Sequence, residues 1–119
     1  FGFSNKPTSV RLESFTAVRI NRRVELKWVT AIEKDILGFN IYRSTWLKGK
    51  KEQINKRLIV SKALPGSLTG AEYLFKNWNT DVTRKYVYWL EVVDISGNKT
   101  IVNYVIVKPS MSFQPIGSK

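Results

Sequence analysis

The sequence predicts an all-β protein, a seven-stranded antiparallel sandwich, and three observations carry that prediction. Apolar residues recur with period two in seven short runs, the pattern of strands with one buried face. Turn residues punctuate these runs about every 8 to 12 residues, the spacing of a sandwich. No stretch shows the 3.6-residue periodicity of an amphipathic helix of normal length.

Taken in order, the first run covers about Val10 to Arg19. The second, Val24 to Thr30, sets Val24, Leu26 and Trp28 on one face and Glu25 and Lys27 on the other. Residues Ile32 to Leu37 read as a loop or single turn before Gly38. The third run, Phe39 to Ser44, follows that glycine, and a shorter fourth lies near Gln53 to Val60. A turn-rich stretch, Leu64 to Gly70, separates it from the fifth run, Glu72 to Lys76. The sixth and seventh, Tyr86 to Asp94 and Lys99 to Val107, flank Ile95-Ser96-Gly97-Asn98, the strongest hairpin signal in the chain. Lys108-Pro109 ends the last run. The domain is therefore expected over residues 9–109, between a polar leading segment (1–8) and an exit tail (110–119). An oligonucleotide-binding barrel is the main structural competitor, and it calls for five longer strands and a helix.

Composition narrows the chemistry. The 119 residues suffice for one domain with its own core, and 43% hydrophobic content with four Trp, five Tyr and six Phe is that of a chain that folds. With no Cys and no His, disulfides, thiolate or imidazole metal sites, and Ser/His or Cys/His triads are excluded. No cofactor is implied. Twenty Lys and Arg against nine Asp and Glu give a formal charge of +11, which attracts polyanions at low salt: nucleic acid, anionic lipid or acidic glycan. No run approaches the roughly 18 apolar residues of a membrane-spanning helix, so membrane insertion is not expected. The first residue is Phe1, which reads as a processed chain or a piece of a longer one.

Several segments together resemble a known family. Val24-Glu-Leu-Lys-Trp28, Thr30-Ala-Ile-Glu33, Gly38-Phe-Asn-Ile-Tyr-Arg43, Ile54-Asn-Lys-Arg-Leu-Ile59 and Tyr86-Val-Tyr-Trp-Leu-Glu91-Val-Val-Asp94-Ile-Ser-Gly97 are similar to a fibronectin type III-like domain of bacterial surface and secreted proteins. The similarity runs from about Val10 to Pro109. It implies an immunoglobulin-like sandwich in which Trp28 fills the core, Gly38 and Phe39 open the third strand, and Tyr86 forms the tyrosine corner. Asn77 and Ile32 depart from the family pattern without bearing on the fold. Such domains are spacers and binding modules and are not enzymes, so the resemblance implies a non-catalytic structural or interaction module of an exported bacterial protein, at the cell surface or outside the cell. Its expected partner is another domain or a cell-surface component, and the chain is expected to be a monomer.

Three constellations qualify as sites. Glu33 and Asp35 are the closest acidic pair, the one enzyme chemistry that composition leaves open; an ion pair or hydrogen bond from Glu33 to Arg43 is the structural alternative. Lys48, Lys50, Lys51, Lys56, Arg57 and Lys62 concentrate positive charge beside Trp46, a candidate polyanion patch in which Trp46 stacks, nucleic acid being one such ligand. The plainer role for this patch is protection of a sheet edge and solubility. Arg19, Arg22 and Arg23 make a second basic cluster. Strand phase, with Trp28, Phe39, Ile41, Tyr86, Tyr88 and Leu90 inward, places Tyr42, Val87, Trp89 and Tyr104 on the outer face. Tyr42, Trp89 and Tyr104, with Trp78 from a loop, form a candidate partner or sugar face, the alternative being cross-strand pairing under the long side chains of Arg43 or Lys. Trp46 and Trp78 fall in loops, where each could instead cap an open end of the sandwich.

Overall fold

The computed structural model describes residues 10–63 and 69–110. Its strands are β1 (Val10–Ile20), β2 (Arg23–Glu33), β3 (Ile36–Ser44), β4 (Glu52–Gln53), β5 (Ile59–Val60), β6 (Glu72–Asn77), β7 (Tyr86–Asp94) and β8 (Lys99–Val107). Every pairing is antiparallel; one sheet has the order β1-β2-β6, the other β4-β3-β7-β8 with β5 also on β3. None of the described residues is helical, and the all-β sandwich is as the alternation predicts. The leading segment 1–8, the middle of the 64–70 turn and the tail beyond Ser110 lie outside the described residues.

The fourth run is present as two halves, β4 and β5, both on the edge of β3. Asn55 interrupts it: its side-chain oxygen accepts the Ile41 N–H at 2.8 Å, and its amide donates to Asn40 Oδ1 and to the Arg57 carbonyl, both at 2.8 Å. A side chain thus takes over a ladder bond, and the backbone leaves the sheet for five residues. Counted as one edge strand, the pair completes a seven-stranded sandwich.

The segment Ile32 to Leu37, expected as a loop, is mostly strand. Only Lys34 and Asp35 lie between β2 and β3. The chain reverses there because Asp35 adopts φ +57°, a left-handed conformation that Asp tolerates, and its carbonyl accepts the Ile95 N–H at 2.9 Å.

Aromatic packing joins the sheets. Trp28 stacks on Tyr73 within its own sheet (5.3 Å between centroids, 10°) and meets Phe39 of the facing sheet edge-on at 5.6 Å. Phe39, Ile41, Tyr88 and Leu90 of that sheet are fully buried, each contributing about 1.5–3 kcal/mol. The Trp28 indole N–H is buried without an acceptor among the described residues, a cost of about 1–3 kcal/mol set against this packing. At Gly38 an added Cβ would stand 2.3 Å from the Ile59 carbonyl oxygen, so β5 can lie on β3 only over a glycine.

Glu33 does not pair with Arg43. β3 carries Arg43 to the far end of the sheet, seven residues or roughly 23 Å beyond Ile36. There Arg43 donates to Asn77 Oδ1 at 3.0 Å and lies 4.7 Å over the Tyr86 ring. Buried Glu33 instead accepts hydroxyl hydrogen bonds from Thr30 (2.6 Å), Tyr73 (2.7 Å) and Ser61. Glu33→Ala leaves the buried Tyr73 hydroxyl without this acceptor, while Thr30 keeps the Ala71 carbonyl at 3.3 Å and Ser61 is only half-buried, so urea denaturation should show a loss of about 1–3 kcal/mol, more than for Arg43→Ala.

Burial, reinforced by the Glu33 carboxylate, pushes the Tyr73 hydroxyl from 10.0 up to about 12. Burial also raises Tyr88 to about 12, against the lowering pull of Arg43. Between pH 10 and 12 the unfolded chain therefore releases protons that the folded chain keeps, and stability falls as pH rises through that window. Unfolding free energy measured against pH should hold level up to about 10 and then decline, less steeply in Tyr88→Phe.

Candidate functional site

The outer row of the larger sheet assembles in the order expected, but it is covered. Register sets Trp89 between Tyr42 on β3 and Tyr104 on β8. Trp89 is nonetheless only 8% exposed, which corrects the expectation of an open aromatic platform. Its ring packs 5.1 Å from Tyr104, the Lys51 ammonium lies 4.2 Å over it, and its N–H donates to Ser44 Oγ at 3.1 Å. Tyr42 is half-buried and donates to Glu91 Oε1 at 3.3 Å; burial and the Glu91 charge raise its pKa. Tyr104 alone of this row stays open, at 40%.

The proposed lysine patch does not form one surface. Lys48 and Lys50 are exposed in the β3–β4 loop with Trp46, and Lys51 is spent on Trp89. Lys56 and Arg57 lie between β4 and β5. Lys62 is at the opposite end of β3, where its ammonium donates to the Glu72 carbonyl at 2.6 Å and lies 5.1 Å over Tyr73. Sequence proximity misleads here because β4 and β5 run the length of β3 in between.

Charge gathers across the chain instead of along it. At the end of the sandwich where β3 finishes, the β1–β2 hairpin brings Arg19, Arg22 and Arg23, the end of β6 brings Lys76, and the β6–β7 connection brings Arg84 and Lys85. Lys108 follows β8, and Arg43, Lys48, Lys50 and Lys51 complete the set. That is eleven of the twenty Lys and Arg, with only Glu25, Glu52 and Asp81 among the nine acidic residues. The other end holds Arg11, Lys34, Lys62 and Lys99 with the remaining six acids, Glu13, Glu33, Asp35, Glu72, Glu91 and Asp94.

Several acids are hydrogen-bonded by neutral donors: Glu33 as above, Glu91 by Asn40 (2.9 Å) and Tyr42 on Oε1, and Asp94 by the Asn98 and Ser96 amides, which hold its carboxyl below the usual range. Ion pairs among the described residues are Arg23–Glu25 at 2.8 Å and Arg84–Asp81 at 3.6 Å. The cation surplus is therefore left to the surface.

Hydrogen bonds fix the basic end. Arg19 donates to the carbonyls of Arg84 (2.8 Å), Lys108 (3.2 Å) and Asp81 (3.4 Å), tying β1 to the β6–β7 connection and to the end of β8. The Tyr86 hydroxyl accepts the Asp81 N–H at 3.0 Å, the corner that the resemblance implies. Trp78, 58% exposed, stands here with Arg23 at 5.4 Å and Lys76 at 5.9 Å from its ring. A shallow recess of about 220 Å³ lies beside it, lined by Ile20, Asn21, Arg22, Arg23, Trp78 and Asn79. The sequence gives both halves of this site, the arginine cluster and the loop tryptophan; the β2–β6 register Val24↔Asn77 joins them. A second recess, about 380 Å³, has Glu33 and Asp35 on its wall, but the Glu33 carboxylate is committed to its three hydroxyls.

The two sheets, their order and the corner at Tyr86 define a fibronectin type III-like fold. Among solved structures the chain is similar to an Fn3-like protein from Clostridium thermocellum, at TM-score 0.59 and 18% identity over 87% of this chain and 98% of that one. It is also similar to a structure described as that of a myokine, at TM-score 0.57 and 12% identity with the same coverage. No family model and no curated protein matches the chain. These likenesses establish the fold, which hosts many functions.

The burial of the two tryptophans separates their roles. Trp89→Ala should cost about 3–5 kcal/mol in urea denaturation, as for a core aromatic. Exposed Trp46→Ala should stay within about 0.5 kcal/mol of the wild type.

Proposed function

We propose that this chain is a non-catalytic interaction module that meets its partner through the basic end of the sandwich. The observation that carries this reading is the charge polarity: eleven cations with three acids at one end, four with six at the other. A charge surplus kept only for solubility has no need of such sorting. The aromatic outer row is the poorer contact surface, because Trp89 is buried under Lys51 and Glu91 is already bonded. Membership in an exported bacterial protein rests on the sequence resemblance, and the partner of such a module is a negatively charged component of its surroundings.

Two triple variants with equal net charge test the polarity: Arg22→Ser/Lys85→Ser/Lys108→Ser at the basic end, and Arg11→Ser/Lys34→Ser/Lys99→Ser at the other. The probe is polyglutamate, a polyanion with no stacking group. The wild type should bind it at about 50 mM salt and lose most of that affinity at about 200 mM, as the Debye length shortens. The basic-end variant should bind at least tenfold more weakly than the opposite-end variant. Equal losses in both would mean that net charge alone drives the attraction.

A further inference from the structure

We infer that the recess beside Trp78 is a site for an acidic glycan, a saccharide carrying carboxylate or sulfate, which deepens the basic-end reading and rests on it. Four features of the recess point to this ligand. Trp78 keeps more than half of its surface in water although Trp28 and its neighbours already fill the core, so its ring is not needed for packing. Asn21 and Asn79 line the same recess, and each amide both donates and accepts, the pairing that sugar hydroxyls require. Arg22 lines it too and is exposed; its guanidinium fork matches a carboxylate or sulfate bidentately. Lys76 flanks the ring at 5.9 Å, adding positive charge where the acidic group would sit, while Arg23, 5.4 Å from the ring, is held there by its ion pair with Glu25.

The recess is preformed. Thr80 donates through its N–H (2.7 Å) and its hydroxyl (3.0 Å) to the Arg22 carbonyl, clamping the β1–β2 turn to the β6–β7 connection. Little ordering is then left for the ligand to impose. Single-stranded nucleic acid is the competing polyanion, and its binders file successive bases over several rings along a charged groove. This recess offers one ring, with Trp46 in the β3–β4 loop outside its lining.

The test titrates the full chain, at about 50 mM salt, with an oligogalacturonate, its uncharged methyl ester, a sulfated oligosaccharide and an oligo-dT of matched charge, following the heat of binding by calorimetry, a signal that does not depend on Trp78. The inference expects one of the two acidic sugars to bind at least tenfold more tightly than both the methyl ester and oligo-dT. It also expects Trp78→Ala and Arg22→Ser each to weaken that binding at least tenfold while keeping the wild-type unfolding midpoint. If acidic sugars bind Trp78→Ala as well as wild type, the recess is not their site, and this inference fails while the basic-end reading stands. Tightest binding of oligo-dT, lost in Trp78→Ala, would overturn the glycan in favour of nucleic acid. Absence of binding to every polyanion tested, polyglutamate included, removes both readings together.

Discussion

Apposition of the two sheets over Trp28 is the constraint from which the other features follow. Once the indole stacks on Tyr73 and receives Phe39 edge-on, the Tyr73 hydroxyl is delivered to the end of β2, where Glu33 waits. The carboxylate becomes an acceptor for Thr30, Ser61 and Tyr73, binding β2, β6 and the segment after β5 into one block. A buried carboxylate with no ion-pair partner among the described residues is tolerable because each hydroxyl replaces a hydration contact that it gave up. The same packing leaves no room for a Cβ at Gly38, where β5 lies against β3.

That use of Glu33 belongs to a wider economy of charge. Neutral donors hold Glu33, Glu91 and Asp94, and none of the three enters an ion pair with Lys or Arg among the described residues. The topology then sorts the cations. Turns after β1, β3 and β6 and the end of β8 all fall at one end of the sandwich, and these segments with the strand ends beside them hold eleven of the twenty basic residues. Arg19 and Arg43, whose guanidiniums lie at 5.7 and 4.7 Å over the Tyr86 ring, are structural members of that end. Arg22, Lys85 and Lys108 are exposed ones.

The outer face of the larger sheet shows how alternation can be right in phase and wrong in exposure. Tyr42, Trp89 and Tyr104 share a face, as period two dictates. Whether a residue on an outer face meets water depends on its neighbours, and Trp89 has Lys51 above it and strands on both sides. The long lysine stem and its ammonium roof the ring while the charge stays wet.

Strand phase, core membership of Trp28, Phe39, Ile41, Tyr88 and Leu90 and the β7–β8 hairpin were legible in the linear chain, because each is a local pattern of period two or a short turn motif, and the corner at Tyr86 was implied by the family resemblance. The partner of Glu33, the splitting of the fourth strand by Asn55, the cover over Trp89 and the meeting of Arg22 with Trp78 were not. Each of these joins residues from different strands. So the sequence by itself determined that this is an all-β sandwich with a large positive surplus and no thiol or imidazole chemistry. Tertiary structure decided which side chains meet and at which end the charge collects, because those depend on register and on the path of the chain between sheets, which no local pattern encodes.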